Sequence, residues 1–428
     1  MLLAGMTGAP RPRCVHVVGG GLAGLSAAVA LAGRDVRVVL SEAARQAGGR
    51  CRSYHDSVLD MVIDNGNHLV LSGNPAVGRY LAAIGAQDRL MGPTAAAFPY
   101  VDVATREKWT LRPNDGLVPW WILNADRRVP GTHLVDYLAI ASLMLRHPGR
   151  RIDEVLPCRG PLWEKFLRPL LVSVLNTPPE EGSADLAGAV MRETFAKGGR
   201  SIYPRVATPS LAAAFIDPAL QRLSQSGAEV RFGRRLVGLK REDSKVTALS
   251  FADGEEELGP DDSVVLAVPP WTAQELLPDL VVPDAFCAIV NAHFKFAPSV
   301  GTPLLVGLVG GTAEWVFALH DRLSVTVSAG DRLLDAETKD LADLLWRDIA
   351  AAHGLPAATP PCRIVKEKRA TFAATPAQNA RRPPAATRWS NLFLAGDWTD
   401  TGLPATIEGA LRSGERAATL ASHATVRP

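Results

Sequence analysis

The chain has 428 residues, a net charge of +2 at neutral pH and five cysteines. This length is enough for two or three domains and a large core. The near balance of basic and acidic residues, with no long basic block, excludes a nucleic-acid partner. The cysteines are scattered and form no C-x-x-C pair, so we predict reduced thiols, with neither a disulfide framework nor a metal site.

No segment is predicted to cross a membrane or to direct secretion. Residues 1–13 are too short for a signal peptide and lack its apolar core. The apolar stretch at 134–145 is interrupted by Asp136 and is too short to span a bilayer. We therefore expect a cytoplasmic protein, either soluble or peripheral on the inner face of the membrane.

In chain order, the first predicted unit is strand–helix–strand, at residues 15–42. Apolar residues 15–18 predict a buried parallel strand, and residues 36–40 predict a second strand. Between them, a G-x-G-x-x-G turn at Gly19, Gly21 and Gly24 opens a helix of small apolar residues. The second strand ends at Glu42. This order is typical of a dinucleotide site, although a plain packing unit could share it.

The predicted dinucleotide site has a physical basis in these residue types. Gly19 permits the tight turn, Gly21 lets the backbone approach a pyrophosphate, and Gly24 lets the helix pack closely on the strand. The pyrophosphate would then lie on N–H groups at the start of the helix, around Leu22 and Ala23. Glu42 could accept hydrogen bonds from both ribose hydroxyls, and its charge disfavours a 2′-phosphate.

A second glycine element follows directly, at Gly48, Gly49 and Arg50. The glycines again permit close approach of the backbone, and the arginine could reach a phosphate. An NAD-dependent dehydrogenase has no use for this element, whereas an extended dinucleotide does. The alternative is a glycine loop that carries a solvated arginine.

The rest of the chain is predicted to alternate between helical and β regions. An apolar, helix-rich region is inserted at 74–225, with helices at 75–84, 134–145, 161–175, 185–196 and 209–226. Strands are predicted at 228–232, 246–251 and 263–268, followed by an antiparallel sheet at 285–370 that a helix at 335–352 crosses. A last strand ends at Gly396 and Asp397, and a helix begins near Pro404.

These motifs together resemble the FAD-dependent amine oxidase and phytoene desaturase superfamily over nearly the whole chain. The resemblance implies an α/β fold: a Rossmann-like FAD-binding domain of the glutathione-reductase type, with an inserted α+β substrate domain of antiparallel sheet and helices. It assigns residues 13–73, 227–284 and 389–428 to the FAD-binding domain, and residues 74–226 and 285–388 to the substrate domain.

The same resemblance implies that FAD is the cofactor and that no metal is needed. Asp397 would bond to the ribityl chain or the pyrophosphate, and the backbone near Ala405 would face the flavin pyrimidine. Glu408 would either contact the cofactor or only support the helix dipole. The implied cofactor-binding residues are Gly19, Gly21, Leu22, Ala23, Gly24, Glu42, Gly48, Gly49, Arg50, Leu236, Gly396, Asp397, Ala405, Thr406 and Ile407.

A narrower resemblance is to the squalene-associated desaturase group, the hydroxysqualene dehydroxylases of bacterial squalene and hopanoid synthesis. It rests on residues 175–181 (LNTPPEE), 291–294 (NAHF), 374–378 (ATPAQ), 395–399 (AGDWT) and 402–410 (GLPATIEGA). It implies that hydroxysqualene and reduced flavin give squalene, water and oxidised flavin. The substrate would be a long polyisoprenoid, held in an apolar tunnel.

No residue stands out in the sequence as the general acid that such a reaction needs. By family position, His68, Asp64 and His293 are the candidates, although a histidine at these places could equally be a hydrogen-bonded structural residue. Residues 134–145 could dip into the membrane or could form a buried tunnel wall.

Three rival interpretations remain open from the sequence. The chain could be a carotenoid-type desaturase that works oxidatively, an amine oxidase, or a non-catalytic FAD-containing partner of the squalene-forming prenyltransferases. An amine oxidase is disfavoured because aromatic content is only 6% and no aromatic pair is apparent near the C-terminal motif.

Overall fold

The computed structural model describes residues 13–423. The prediction that residues 1–13 are not a signal peptide lies outside the described residues, except for Arg13. Residues 424–428, which are assigned to the FAD-binding domain, also lie outside them. The strands, in chain order, are β1 (Cys14–Val18), β2 (Arg37–Ser41), β3 (Ser53–Asp56), β4 (Met61–Asp64), β5 (Leu69–Leu71), β6 (Leu90–Met91), β7 (Phe98–Asp102), β8 (Lys108–Leu111), β9 (Pro204–Ala207), β10 (Glu229–Arg231), β11 (Leu236–Glu242), β12 (Lys245–Phe251), β13 (Gly254–Glu257), β14 (Ser263–Leu266), β15 (Phe286–Phe294), β16 (Leu305–Val309), β17 (Trp315–Ala318), β18 (Leu323–Val327), β19 (Cys362–Phe372) and β20 (Leu392–Leu394).

The α-helices alternate with these strands along the chain. They are α1 (Leu22–Leu31), α2 (Pro75–Ile84), α3 (Leu138–Met144), α4 (Arg168–Leu175), α5 (Ala184–Glu193), α6 (Asp217–Gln225), α7 (Pro270–Leu276), α8 (Thr338–His353), α9 (Pro376–Asn379) and α10 (Ile407–His423).

A parallel sheet in the order β10-β2-β1-β14-β20 is assembled from distant parts of the chain. All five residues of β1 are buried, as expected of a central strand that is covered on both faces. The strand predicted at 263–268 does join this sheet, between β1 and β20. The predicted α/β fold is therefore confirmed.

Helices α1 and α10 pack against each other at very short range beside this sheet. A Cβ on Gly414 of α10 would lie 2.2 Å from the backbone oxygen of Ala23, so only glycine fits at this contact. The Ser26 hydroxyl of α1 also donates to the Leu411 oxygen at 2.8 Å. The first and last helices of the described chain thus form one layer.

The second large sheet has the order β19-β15-β18-β17-β16-β7-β8 and is antiparallel except where β16 meets β7. The predicted strands between 285 and 370 lie in it, and α8 covers one face with Leu345, Trp346 and Ile349. Strands β7 and β8 come from the region predicted to be mainly helical. They extend the sheet beneath the inserted helices.

Two of the predicted helices contain a wider, π-helical turn. These turns are Trp163–Leu167, before Pro169, and Ala212–Ile216, before Pro218. Proline has no N–H to donate within the helix, and a wider turn accommodates the missing hydrogen bond. The segment predicted as a helix at 134–145 also differs, because it begins as a 3₁₀ turn, Leu134–Tyr137, before α3.

The division into FAD-binding and substrate domains, at the boundaries given above, stays a prediction. The two parts are joined by hydrogen bonds from α10. The buried Glu408 accepts bonds from the N–H groups of Ala76 and Val77 at the start of α2, each at 3.1 Å. It also accepts a bond from Arg412 at 3.1 Å. Glu408 therefore caps a neighbouring helix, a role that neither sequence interpretation included.

We expect Glu408→Gln to lower the free energy of unfolding by about 1–3 kcal/mol, because a buried, charge-assisted cap is lost. Glu415→Gln is a matched control, since Glu415 also joins α10 to α2, through Arg79, but at the surface. The control should cost less than about 1 kcal/mol. Urea denaturation followed by circular dichroism measures both. Equal losses would contradict the capping role.

Candidate functional site

The glycine turn after β1 has the shape that the sequence predicts for a pyrophosphate cradle. A Cβ on Gly19, whose φ is +108°, would lie 2.4 Å from the Ala267 oxygen, and a Cβ on Gly24 would lie 1.8 Å from the Gly19 oxygen. A Cβ on Gly21 would meet no atom within 4 Å. Gly19 and Gly24 are therefore required by packing, whereas Gly21 borders open space at the start of α1.

Glu42 lies at the end of β2, beside this turn. Its carboxylate accepts hydrogen bonds from the N–H of Gly20 at 2.6 Å and from the N–H of Ala44 at 2.7 Å. These bonds fix the orientation of the carboxylate and leave each oxygen a further lone pair for a hydroxyl. A ribose could bind there without displacing either bond.

The second glycine element packs directly against the first. The Gly48 N–H donates to the Gly20 oxygen at 2.8 Å, and Gly21 and Gly48 form a parallel bridge. Gly48 and Gly49 have φ values of +111° and +54°, which favour glycine. The resulting turn directs Arg50 toward the C-terminal motif.

Arg50 and Asp397 form an ion pair, with Nη2 and Oδ1 2.7 Å apart. The Arg50 side chain remains 44% exposed, whereas that of Asp397 is 8% exposed. The second nitrogen, Nη1, donates to the Ala370 oxygen of β19 at 2.5 Å. The Arg50 guanidinium and the Asp397 carboxylate, predicted from separate motifs, therefore lie side by side. The guanidinium remains accessible to an anionic ligand.

The turn after β20 is held by an indole ring. Gly396 has φ of +153°, and a Cβ there would lie 2.3 Å from Nε1 of Trp398. That nitrogen donates to the Val268 oxygen at 3.0 Å, so the ring folds back over the glycine. Gly396 is thus required because the ring occupies the space of a side chain.

Helix α10 begins at Ile407, and the prediction that it begins near Pro404 is wrong. The Thr406 hydroxyl accepts a bond from the Gly409 N–H at 3.0 Å, which is the geometry of an N-cap. The cap at Thr406 fixes the first helical residue at Ile407, three residues after the proline. The N–H groups of the first turn lie next to Thr406, where the dipole favours a negative charge.

Leu236 and Ala405 are predicted cofactor residues with apolar side chains that pack against the core. Leu236 is buried at the start of β11, opposite Phe251, and Ala405 is half-buried before the cap. For all of the predicted cofactor residues, direct contact with FAD stays a prediction.

Asp64 and His293 form part of one buried hydrogen-bond network. The Asp64 carboxylate accepts bonds from the Ser53 hydroxyl at 2.6 Å and the Leu211 N–H at 2.9 Å, and burial raises its pKa. In His293, Nε2 donates to the Asp64 backbone oxygen at 3.0 Å, and Nδ1 pairs with Ser324 at 2.8 Å. Burial, followed by the charge of Arg322, lowers the His293 pKa to about 4. Both ring nitrogens are therefore engaged.

His68 is placed differently from the other two candidates. It is only partly buried, in the loop that follows Asp64, and its ring lies near Arg50. Burial, followed by the charge of Arg50, lowers its pKa to about 4, so the ring is neutral at pH 7. Among the three predicted catalytic residues, His68 is the one whose ring interacts with Arg50 of the predicted cofactor site.

The loop that carries His68 is held from the antiparallel sheet. Asn65 donates to Glu367 at 3.1 Å, and the Asn67 N–H donates to Asn291 at 3.3 Å. Asn291 is the first residue of the NAHF motif, so this motif supports the loop as well as supplying His293. The loop is thus fixed between the cofactor side and the sheet.

A row of aromatic side chains lies across one face of the antiparallel sheet. Register places Trp109, Tyr100, Gly307 and Trp315 side by side, and the row continues through Thr326 to Asn291. The Tyr100 ring stacks on Trp109 and meets Trp315 edge-on, both at 5.5 Å between centroids. A Cβ on Gly307 would lie 2.5 Å from the Tyr100 ring, so glycine makes room for it. A buried aromatic row therefore leads toward the His68 loop.

The sequence did not identify Asn176 as a structural anchor, although it lies in the LNTPPEE motif. Its side chain donates to the Cys287 oxygen at 3.2 Å and to Thr371 at 2.9 Å, and accepts from the Ala329 N–H at 2.7 Å. It ends α4 with φ of +48°, a conformation that asparagine tolerates. The helical region is fastened to the antiparallel sheet at this point.

A family model for flavin-containing amine oxidoreductases matches residues 22–421. The chain belongs to this family. The prediction of an FAD-dependent oxidoreductase is thereby confirmed. Among residues 13–423, no helix of this flavin-containing amine oxidoreductase is both long and apolar enough to cross a bilayer.

Relatives of this flavin-containing amine oxidoreductase include hydroxysqualene dehydroxylases from three bacteria. Those of Sinorhizobium fredii and Rhodopseudomonas palustris are each 50% identical over 410 residues, covering 96% and 95% of this chain and 98% of each relative. That of Zymomonas mobilis is 49% identical over 406 residues, covering 95% of this chain and 98% of its own. The recognition of this group from the motifs is confirmed.

Solved structures with the same fold include an oxidoreductase from Methanosarcina mazei. It matches with a TM-score of 0.71 at 14% identity, covering 95% of this chain and 100% of its own. A putrescine oxidase bound to putrescine matches with a TM-score of 0.67 at 16% identity, covering 95% and 98%. At such identities, these matches support the fold alone.

The residues of this flavin-containing amine oxidoreductase fit FAD. The backbone cradle at Gly21 is open, Glu42 is oriented for a ribose, and Arg50 is a partly exposed cation beside Asp397. When bound there, FAD supplies the hydride chemistry that no side chain can supply.

We expect Gly21→Ala to weaken FAD binding about tenfold or more, with little effect on folding, because the added methyl enters open space that a pyrophosphate needs. Gly24→Ala should instead destabilise the fold, since its methyl would strike the Gly19 oxygen. Release of flavin fluorescence on dilution reports binding, and thermal unfolding reports stability. If Gly21→Ala retains FAD normally, the cradle is misassigned.

Proposed function

We propose that this protein reduces hydroxysqualene to squalene, with reduced FAD as hydride donor. The supporting observation is the 50% identity, over almost the full length of both chains, to proteins named hydroxysqualene dehydroxylase. In this reaction the allylic C–O bond breaks, and the oxygen leaves as water after accepting a proton. Reduced FAD, when bound, would supply the hydride for the new C–H bond and the equivalent of the proton that leaves in water, so the products would be squalene, water and oxidised FAD.

The protein's own part in this reaction is to bind a long apolar chain and keep water from its cation. The row from Trp109 to Trp315 supports such a role, because aromatic faces stabilise a nearby positive charge. Anchoring of the helical region at Asn176 would keep the covering helices on this surface and exclude water.

We propose His68 as the residue that meets the substrate hydroxyl, and Asp64 and His293 as residues that position its loop. Both His293 nitrogens and the Asp64 carboxylate already have protein partners, which supports a positioning role. Because its low pKa keeps His68 neutral at pH 7 and its one N–H donates to the Arg50 backbone, the other ring nitrogen would orient the substrate by accepting a hydrogen bond from its hydroxyl.

We expect the anaerobic holoenzyme, reduced with one equivalent of dithionite, to convert excess hydroxysqualene into squalene, with the flavin band near its oxidised intensity at the end. His68→Gln, which keeps a hydrogen-bonding side chain, should retain more turnover than His68→Leu at unchanged FAD content. Oxidation of phytoene or of an amine instead would select one of the rival enzymes. FAD that stays reduced, with no squalene formed, would point to the non-catalytic partner.

We also propose that the protein contacts a membrane peripherally, because its apolar substrate would dissolve there. We call Trp120, Leu123, Leu134, Val135 and Leu138 the apolar platform. Each has 46–65% of its surface exposed. The turns that carry them are locked together beneath, because the buried rings of Trp121 and Tyr137 meet edge-on at 5.3 Å.

Double substitution Trp120→Ser and Leu138→Ser should reduce co-sedimentation with phosphatidylethanolamine–phosphatidylglycerol vesicles about tenfold, because buried apolar area is lost. The matched control is Val237→Ser with Val300→Ser, which removes two exposed apolar side chains outside the platform. An equal effect of both pairs would count against the platform. Binding that depends on an added squalene-forming prenyltransferase would favour a protein partner.

A further inference from the structure

Arg382 is a buried cation that neither the motifs nor the family match single out. Only 6% of the residue is exposed, and it lies in a loop that runs alongside β20. In the sequence it appears only as part of a proline- and arginine-rich stretch. The structure places its guanidinium directly behind the turn that carries Asp397.

The guanidinium donates to two backbone oxygens and one hydroxyl of that turn. Its Nη2 lies 3.1 Å from the Asp397 oxygen, 2.5 Å from the Thr399 oxygen and 2.8 Å from the Thr401 hydroxyl. Its Nη1 donates to Asn379 at 3.1 Å. One side chain therefore fixes three positions of the segment that links β20 to α10.

Within the described part of the chain, the Arg382 guanidinium has no carboxylate within 4.0 Å. Its hydrogen bonds go to carbonyl, amide and hydroxyl oxygens, and its guanidinium lies 4.9 Å from the Phe372 ring centre. Its Nε–H is buried with no acceptor among residues 13–423. Burial lowers its pKa to about 10, although Asp400 and Asp397 oppose this. A buried positive charge is costly, and FAD is an anionic ligand that such a charge favours.

We propose that Arg382 is a positioning residue for the cofactor. It holds the Asp397–Thr401 turn so that the Asp397 carboxylate meets Arg50 and the capped start of α10 faces the flavin. This inference rests on the FAD site and not on the identity of the substrate, so it stands or falls independently of hydroxysqualene reduction.

The test uses full-length holoenzyme and measures FAD release on dilution, by recovery of flavin fluorescence. Arg382→Ala is expected to release FAD at least about tenfold faster, since several charge-assisted hydrogen bonds are lost. Guanidinium chloride at tens of millimolar should restore retention, and urea at the same concentration should not. Arg382→Lys keeps the positive charge but lacks the planar guanidinium with its several donors, so its rate of FAD release should be intermediate.

The matched control is Arg381→Ala. Arg381 is the neighbouring arginine, and it binds Asp284 at 2.8 Å and the Val282 oxygen at 2.9 Å, away from the turn. It should retain FAD as the wild type does. The proposal is overturned if Arg382→Ala retains FAD equally well. A second result would also overturn it: guanidinium fails to restore FAD retention, and Arg382→Lys loses both FAD and thermal stability. Arg382 would then only support the fold.

Discussion

The ion pair between Arg50 and Asp397 is the interaction on which the cofactor site depends. It joins residues that are 347 positions apart and that belong to separate motifs. Each partner is set by a glycine turn, at Gly48 and Gly49 on one side and at Gly396 on the other. Because short turns hold both ends, the pair forms only when the parallel sheet brings β1 and β20 to their places on either side of β14.

The polar loop with His68 extends this arrangement toward the second sheet. Asn65 and Asn67 fasten it to Glu367 and Asn291, so the loop belongs structurally to both parts of the molecule. Its position beside Arg50 therefore depends on the antiparallel sheet as much as on the glycine turns. A change of residues on that sheet can alter the position of the His68 loop without touching the glycine turns.

The sequence was most informative where the chemistry is local. Glycine spacing, the acid after β2 and the Gly396–Asp397 pair predicted the cradle, because a turn of that shape tolerates few other residues. The start of α10 was misplaced because Pro404 and the Thr406 cap are both helix-start signals, and only the cap bond decides between them. The partners of Glu408 and Arg382 could not be predicted, since each depends on packing between segments that are distant in the chain.

The parallel sheet described above also constrains the order in which the protein can mature. Its strands come from residues 14–18, 37–41, 229–231, 263–266 and 392–394, so the edge strand that precedes Gly396 and Asp397 is synthesised after the other four. A growing chain can form the first strand–helix–strand unit early, because those contacts are local. It cannot close the cofactor site until residue 397 has left the ribosome. Arg50 and Asp397 can therefore meet only after all five strands of this sheet have emerged, long after the first strand–helix–strand unit can form.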